Sequence, residues 1–152
     1  MQISVAQALK EKKRLAGEIA HLWYIFQNEN SCLETHIRKV DVKETLQTIE
    51  LYTDKLVELK TKLSIANQGE HLRNMQLLEA NRKKLASLES VSGSEDPMSN
   101  SLSGKIIERT AVFSENKLES MRKGVRRKIA VLQDRLDFHN AKTLIDFETP
   151  LD

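Results

Sequence analysis

Apolar side chains that recur at steps of three and four residues constrain this chain more than any other feature of its sequence. In the last long segment they are Leu118, Met121, Val125, Ile129, Leu132 and Leu136, and the series continues onto Asn140. Two earlier segments repeat these steps, as Ile19, Leu22, Phe26, Asn30 and as Leu56, Leu59, Leu63, Asn67. This spacing aligns side chains along one face of an α-helix. The chain is therefore predicted to form amphipathic helices whose apolar stripes end in asparagine.

The residue usage favours helices throughout. Five glycines and two prolines in 152 residues leave few helix-breaking positions, and the low aromatic content argues against a β-sandwich. We predict an all-α fold, an antiparallel helical bundle with coiled-coil-like packing, about four long helices and one short extended arm. The helices are expected to span about 4–30, 41–67, 70–90 and 114–140. The length suits a single helical domain, 1–152.

The composition changes abruptly between the third and fourth predicted helices. Residues 91–104, VSGSEDPMSNSLSG, are predicted to be a flexible linker. Residues 105–113, KIIERTAVF, are rich in β-branched side chains and are predicted to form an extended arm. Because a single strand is not stable alone, the arm would pair with its counterpart in another copy, form a hairpin within the linker region, or remain only an extended segment.

Positive charge is concentrated in the last helix. The net charge of the chain is only +2, so the molecule as a whole is not a polycation. In the last helix, however, Arg122 with Arg126 and Lys123 with Arg127 are like-charge pairs four residues apart, which repel unless an anion lies over them. Arginine side chains of this kind suit phosphate oxygens. The alternative is that these cations form a solvated face and are neutralised by Glu115, Glu119 and acids of neighbouring helices.

Polar residues also fall on the apolar stripes. In the third predicted helix, the three-and-four spacing that links Met75 and Leu78 continues to Arg82. If the Arg82 side chain is buried, it needs a carboxylate, backbone carbonyls or a bound anion as its partner. The alternative is that it extends to the surface. The asparagines that end the stripes have two interpretations. They contribute to a polar pocket, or they fix register between helices as a buried asparagine does in coiled coils. The apolar run that begins with Trp23 and Tyr24 predicts burial on two sides.

At this point a resemblance to a known family can be stated. The order ALKEKKRLAGEIAHL, LVELKTKLSIANQ, LLEANRKKLASL, a strand-like arm and LQDRLDFHNAKTLIDF resembles the septicolysin-like family of small helical bacterial proteins over most of the chain. Asn67 matches the family's asparagine-bearing turn, Arg82 its arginine after a leucine-alanine run, and Asn140 with Thr143 the end of its last helix. This chain lacks the family's longer glycine-containing loop before Leu72. The resemblance implies a helical fold and no established chemistry.

No pattern in the sequence indicates catalysis. The four histidines are scattered, no Cys/His group has zinc-ligand spacing, and neither a phosphate-binding glycine loop nor a GxSxG motif occurs. Cys32 has only His36 near it in sequence, and as a single cysteine it cannot form an internal disulfide. We expect no enzyme activity, no cofactor and no metal site. The chain shows neither a signal-peptide pattern nor a membrane-spanning run, which predicts a cytoplasmic protein without a membrane partner.

These observations predict a binding protein. The leading hypothesis is a homo-oligomer that captures a small anionic ligand of nucleotide type without turning it over, as a phage anti-defence sponge would. The alternative is a structural or assembly protein whose asparagines fix register. A third hypothesis, binding of the nucleic-acid backbone by the basic helix, is less favoured. The candidate ligand-binding residues are Trp23, Tyr24, Asn30, Asn67, Arg82, Arg109, Arg122, Arg126, Arg127, Asn140 and Thr143.

Overall fold

The computed structural model describes residues 1–99 and 104–151. Within them, four helices and two short antiparallel strand pairs confirm the predicted all-α fold with a short arm. The elements in chain order are β1 (Gln2–Ser4), α1 (Val5–Glu29), α2 (Val42–Ala66), α3 (Glu70–Glu89), β2 (Met98–Ser99), β3 (Ile106–Ile107), α4 (Glu115–Lys142) and β4 (Leu144–Asp146). None of the helices in these ranges is both long and apolar enough to cross a lipid bilayer.

The chain divides into two compact units by its internal contacts. Unit 1 comprises Met1–Gln68 with Phe138–Asp152, and unit 2 comprises Gly69–Asp137. In unit 1, helices α1 and α2 are antiparallel, since the early residues Val5 and Ala8 of α1 share a core with Leu59 and Leu63 near the end of α2. That core is closed by Leu15, Ile145 and Phe147. Burial of these apolar side chains is the main force that holds the two helices together.

Side-chain caps fix where these two helices begin. The Ser4 hydroxyl accepts from the Gln7 N–H, and the Gln7 amide oxygen accepts from the Ser4 N–H, which makes a reciprocal capping box at the start of α1. At the start of α2, one oxygen of Asp41 accepts from the N–H groups of Lys43 and Glu44. Each cap satisfies backbone donors that have no partner inside the helix, so both helices begin where the sequence predicts.

The segment after α4 returns to unit 1 as a strand. β4 pairs antiparallel with β1, with Ile145 opposite Ile3, and the N–H of Val5 donates to the Thr143 carbonyl at 2.9 Å. Side chains alternate along this strand. Ile145 and Phe147 are 5% and 2% exposed, whereas Leu144 is 59% exposed. The segment after α4 therefore joins the core of unit 1 through Ile145 and Phe147.

In unit 2, α3 lies antiparallel to α4. Leu78 near the beginning of α3 packs with Leu132 and Leu136 late in α4, and Ile129 lies against this cluster. α3 begins after Gly69, whose φ of +70° is a left-handed conformation that glycine adopts without a Cβ clash. Ser114 caps α4 by accepting from the Lys117 N–H.

The arm forms a hairpin within the linker region. Met98 of β2 pairs with Ile107 of β3, and Ser99 pairs with Ile106. Of the three arrangements that the sequence allows for the arm, the hairpin within the linker region is the one observed. Within the predicted arm, 105–113, only Ile106–Ile107 form a strand. Residues 100–103 of the predicted linker lie outside the described residues.

Candidate functional site

Arg122 is a structural residue of unit 2. Its side chain is 7% exposed, and its Nε and Nη2 donate to the carbonyl oxygens of Leu88 and Val91 at 3.0 and 2.8 Å. These carbonyls lie at the end of α3 and just beyond it, where the regular hydrogen-bond pattern of the helix stops. Arg122 therefore joins the end of α3 to α4, and the hypothesis that it holds a ligand phosphate is wrong for this residue.

Acids surround Arg122 and Arg126 and neutralise both. Arg122 forms ion pairs with Glu115 at 3.0 Å and with Glu119 at 3.4 Å. Arg126 forms ion pairs with Glu119 at 3.0 Å and with Glu89 at 3.6 Å. Of the two interpretations of the basic helix, acid neutralisation is the one observed at these two positions.

The pKa values of the acids agree with this arrangement. The backbone N–H of Gly93, and then Arg122, lower the pKa of Glu115. Arg126 lowers the pKa of Glu119, and Arg122 lowers it further. The pKa of Arg122 is raised, chiefly by its hydrogen bond to Glu115. All three groups are therefore held in their charged forms, which suits a structural network rather than proton transfer.

Arg82 does not lie in the apolar seam of α3. The inward face of this helix carries His71, Asn74 and Leu78, with Asn81 half-buried on the same face, so Arg82 is one position beyond it. Arg82 is exposed, and its Nη2 donates to the amide oxygen of Gln133 at 2.9 Å. The prediction of a seam cation is wrong because the buried stripe includes polar residues that a hydropathy pattern passes over.

The asparagines at the ends of the stripes do not all lie together within unit 1. Asn30 is exposed at the end of α1, and Asn67 lies at the end of the antiparallel helix α2, so they are at opposite ends of the pair. The Asn67 Oδ1 is 3.1 Å from the Nε2 of His139, whose Nδ1 is 3.2 Å from the Thr143 hydroxyl. Asn140 follows His139 in the chain and is half-buried. Asn67 and Thr143 thus share one histidine, and Asn30 lies apart from both within unit 1.

The remaining predicted residues lie on the surface. Trp23 and Tyr24 are 40% and 66% exposed, which contradicts the predicted burial on two sides within the chain. The Trp23 ring meets the Phe26 ring edge-on at 5.5 Å. Arg109 is exposed and lines a shallow groove of about 350 Å³ formed with residues 91–94 and 110–113.

A second groove of unit 2 combines apolar walls with positive charge. It has a volume of about 420 Å³ and lies between α3 and α4. Its walls are formed by Leu77, Asn81, Arg127, Lys128, Val131, Leu132 and Arg135. The volume falls within the range of about 300–1,000 Å³ that is typical of small-molecule sites. Hereafter these seven residues are called the α3–α4 groove.

Three cations of the groove lack acidic partners. In the part of the chain that the structure describes, Arg127, Lys128 and Arg135 form no ion pair, in contrast to Arg122 and Arg126. All three are exposed. An anion placed close to these three cations would be stabilised by coulombic attraction. Arg127 was predicted as a ligand residue, whereas Lys128 and Arg135 were not.

The apolar part of the groove is unusually open to solvent. Leu77 and Val131 are 39% and 50% exposed, and Leu132 beneath them is 6% exposed. Asn81 is held by its own helix, since its Nδ2 donates to the Leu77 carbonyl at 2.8 Å. Arg127, Val131 and Arg135 follow each other at steps of four, and this spacing is the sequence signal that could have identified the α4 side of the groove. The contribution of Leu77 and Asn81 depends on how α3 and α4 are paired.

The chemical groups that line the groove are of two kinds. Its ionisable side chains are the cations Arg127, Lys128 and Arg135, and the other lining residues are apolar or carry an amide. Among the described residues, no group of three or more histidine, cysteine, aspartate or glutamate side chains could hold a metal ion.

Comparisons with protein-family models, curated proteins and solved structures find no match to this chain. The resemblance to the septicolysin-like family therefore stays a prediction, and the function must be argued from the geometry of the chain itself.

Proposed function

We propose that the protein binds a small anionic molecule with an apolar or aromatic portion in the α3–α4 groove and leaves it chemically unchanged. The observation that carries the proposal is the placement of three cations, which have no acidic partner among the described residues, around the exposed apolar surface of Leu77 and Val131. A nucleotide is the leading candidate, because it joins a phosphate to a flat aromatic base. Binding without turnover would make the protein a sponge for its ligand, as in the capture of a signal nucleotide.

Each part of the groove suits one part of such a ligand. Arg127 and Lys128 are adjacent on α4 and offer charge-assisted hydrogen bonds, which are shorter and stronger than neutral ones. Leu77, Val131 and Leu132 would be covered by an aromatic base, which favours binding because apolar surface leaves water. The amide of Asn81 offers one further polar contact.

The proposal is tested by a thermal-shift screen against AMP, GMP, UMP, CMP and their cyclic forms, followed by calorimetry on any that stabilise the protein. We expect a ligand to raise the melting temperature of the natural chain, and Arg127→Gln with Lys128→Gln to abolish this rise. Lys60→Gln removes one positive charge from an exposed helical position outside the groove and should bind normally. Recovery of the unchanged nucleotide by chromatography tests the absence of turnover.

Failure would have clear signatures. If no nucleotide shifts the melting temperature, or if the groove variant and Lys60→Gln bind equally, the α3–α4 groove is not the site. Affinity for a long single-stranded RNA that falls steeply with salt would instead favour binding of the nucleic-acid backbone.

Association between copies is a second candidate function, and a separate surface of unit 1 supports it. Tyr24 near the end of α1 is 66% exposed, and Leu33 and Ile37 in the following connector are 80% and 85% exposed. Arg38 orders the connector by donating to the carbonyls of Glu29 and Asn30. A protein that assembles through this surface should show an oligomer mass by light scattering, and Leu33→Ser with Ile37→Ser should reduce that mass to one chain.

A further inference from the structure

The charges of the α3–α4 groove lie at two places along α4. Arg127 and Lys128 are at one end, and Arg135 is eight residues from Arg127, about 12 Å farther along the helix axis at about 1.5 Å per residue. Val131 and Leu132 lie between the two places, and Leu77 faces them from α3. The groove is therefore cationic at both ends and apolar in the middle.

We propose that the ligand of this groove carries an anionic group at each end of an apolar or aromatic body. This inference rests on the proposed function and deepens it, because among small anions and nucleotides it selects those with two separated anionic groups over those with one. A molecule with one anionic group would pair with Arg127 and Lys128 and would leave Arg135 without a partner over its apolar end. A molecule with two separated anionic groups pairs with all three cations while its middle covers Val131.

The surroundings of Arg135 favour this assignment over a structural role for the residue. Acids do occur nearby on the same helix, at Asp134 and Asp137, but Asp137 accepts from Gln133 at 2.9 Å and neither acid pairs with Arg135. Arg122, by contrast, is buried and fully engaged with carbonyls and acids of its own chain. Within the described residues, Arg135 is thus an exposed cation at the wall of a groove, available to a ligand.

The length and charge of the ligand can be tested with simple carboxylates. Calorimetry would compare decanedioate, which has a carboxylate at each end of a long alkyl chain, with decanoate, which has one, and with butanedioate, which has two on a short chain. We expect decanedioate to bind about three- to tenfold more tightly than either, because it alone reaches both ends and covers the apolar middle. Arg135→Gln should remove this advantage over decanoate and leave decanoate binding unchanged, while Lys60→Gln should change nothing.

Different results would contradict the ligand with two anionic ends and the proposed function of the groove. If decanoate binds as tightly as decanedioate, or if Arg135→Gln weakens the binding of both equally, the proposal of a ligand with two anionic ends is wrong. The groove would then still be a site for anions with one charged group. If butanedioate equals decanedioate, charge alone governs binding and the apolar middle plays no part. If none of these anions and no nucleotide binds, the proposed function itself is wrong.

Discussion

Arg122 and Arg135 lie on the same helix, yet their surroundings give them different roles. Arg122 is 7% exposed and its guanidinium contacts two carbonyl oxygens and two acids of unit 2. Arg135 is exposed beside a groove and has no acidic partner among the described residues. Charge pattern alone does not separate these roles, because both residues belong to the same run of cations. Burial and hydrogen-bond partners separate them.

Replacing Arg122 is expected to destabilise unit 2. Arg122→Ala removes a donor from the carbonyl oxygens of Leu88 and Val91 and leaves Glu115 without its buried cationic partner. We expect the melting temperature to fall by roughly 5–10 °C. Arg126→Ala removes the same charge from an exposed position and should lower it by less than about 2 °C. Equal effects of the two variants in circular-dichroism melts would contradict a structural role for Arg122.

Glu115 gives this region a predictable pH dependence. The Gly93 N–H and Arg122 lower its pKa in the folded protein below the ordinary value of 4.5. A lowered folded-state pKa stabilises the protein fully above the unfolded value, and the contribution is lost as the pH falls through the folded value. Melting temperatures of the natural chain and Glu115→Gln should therefore differ most at neutral pH and converge as the pH falls through the lowered pKa of Glu115. A difference that stays constant with pH would contradict the assignment.

Helices are the elements that the sequence predicts best. Caps at Ser4, Asp41 and Ser114 and the three-and-four periodicity place three of the four helix starts within a residue of those observed. The inward face of α3 was harder to predict, because it carries His71 and Asn74 as well as Leu78. A pattern based on apolar residues favours Leu72 and Met75 as buried, but they are 46% and 43% exposed. The buried face predicted in this way is displaced by about one residue from the observed one.

Two glycines beside α4 are expected to respond oppositely to alanine. A Cβ on Gly93 would lie 2.4 Å from the backbone nitrogen of Glu115, so the linker or the start of α4 must move. We expect Gly93→Ala to cost about 1–3 kcal/mol. Gly124 has open space around its Cβ position and lies within the helix, so Gly124→Ala should stabilise by about 0.5–1 kcal/mol. Urea unfolding of both variants measures these changes.

The outcome for Gly124 also bears on association. A glycine within a helix often marks a close approach by another backbone or a ligand, but within the described chain nothing lies within 4 Å of a Cβ added at Gly124. If Gly124→Ala stabilises the isolated chain but lowers its mass in light scattering, the glycine is needed at a contact between copies. If Gly124→Ala destabilises the protein while the mass is unchanged, the open surroundings of this glycine are contradicted.

At the scale of the whole chain, the sequence predicts which segments fold but not which segments meet. The pairing of residues 2–4 with residues 144–146 depends on contacts between segments that are far apart in sequence, and no local pattern encodes them. The same limit applies to the α3–α4 groove. Arg127 could be nominated from its charge, but Leu77 becomes its neighbour only when α3 packs antiparallel to α4. Sites formed by two elements are therefore less predictable than the elements themselves.

Two phenylalanines close to each other in sequence test the long-range closure of unit 1. Phe147 follows β4, is 2% exposed and packs in a core with Val5 and Leu59, whereas Phe138 is 67% exposed. Phe147→Ala should lower the free energy of unfolding by about 3–5 kcal/mol, because it removes a buried ring and leaves a cavity. Phe138→Ala should change it by less than about 0.5 kcal/mol. Urea midpoints at an unchanged slope would measure both values, and a small loss for Phe147→Ala would mean that the segment after α4 is not part of the core.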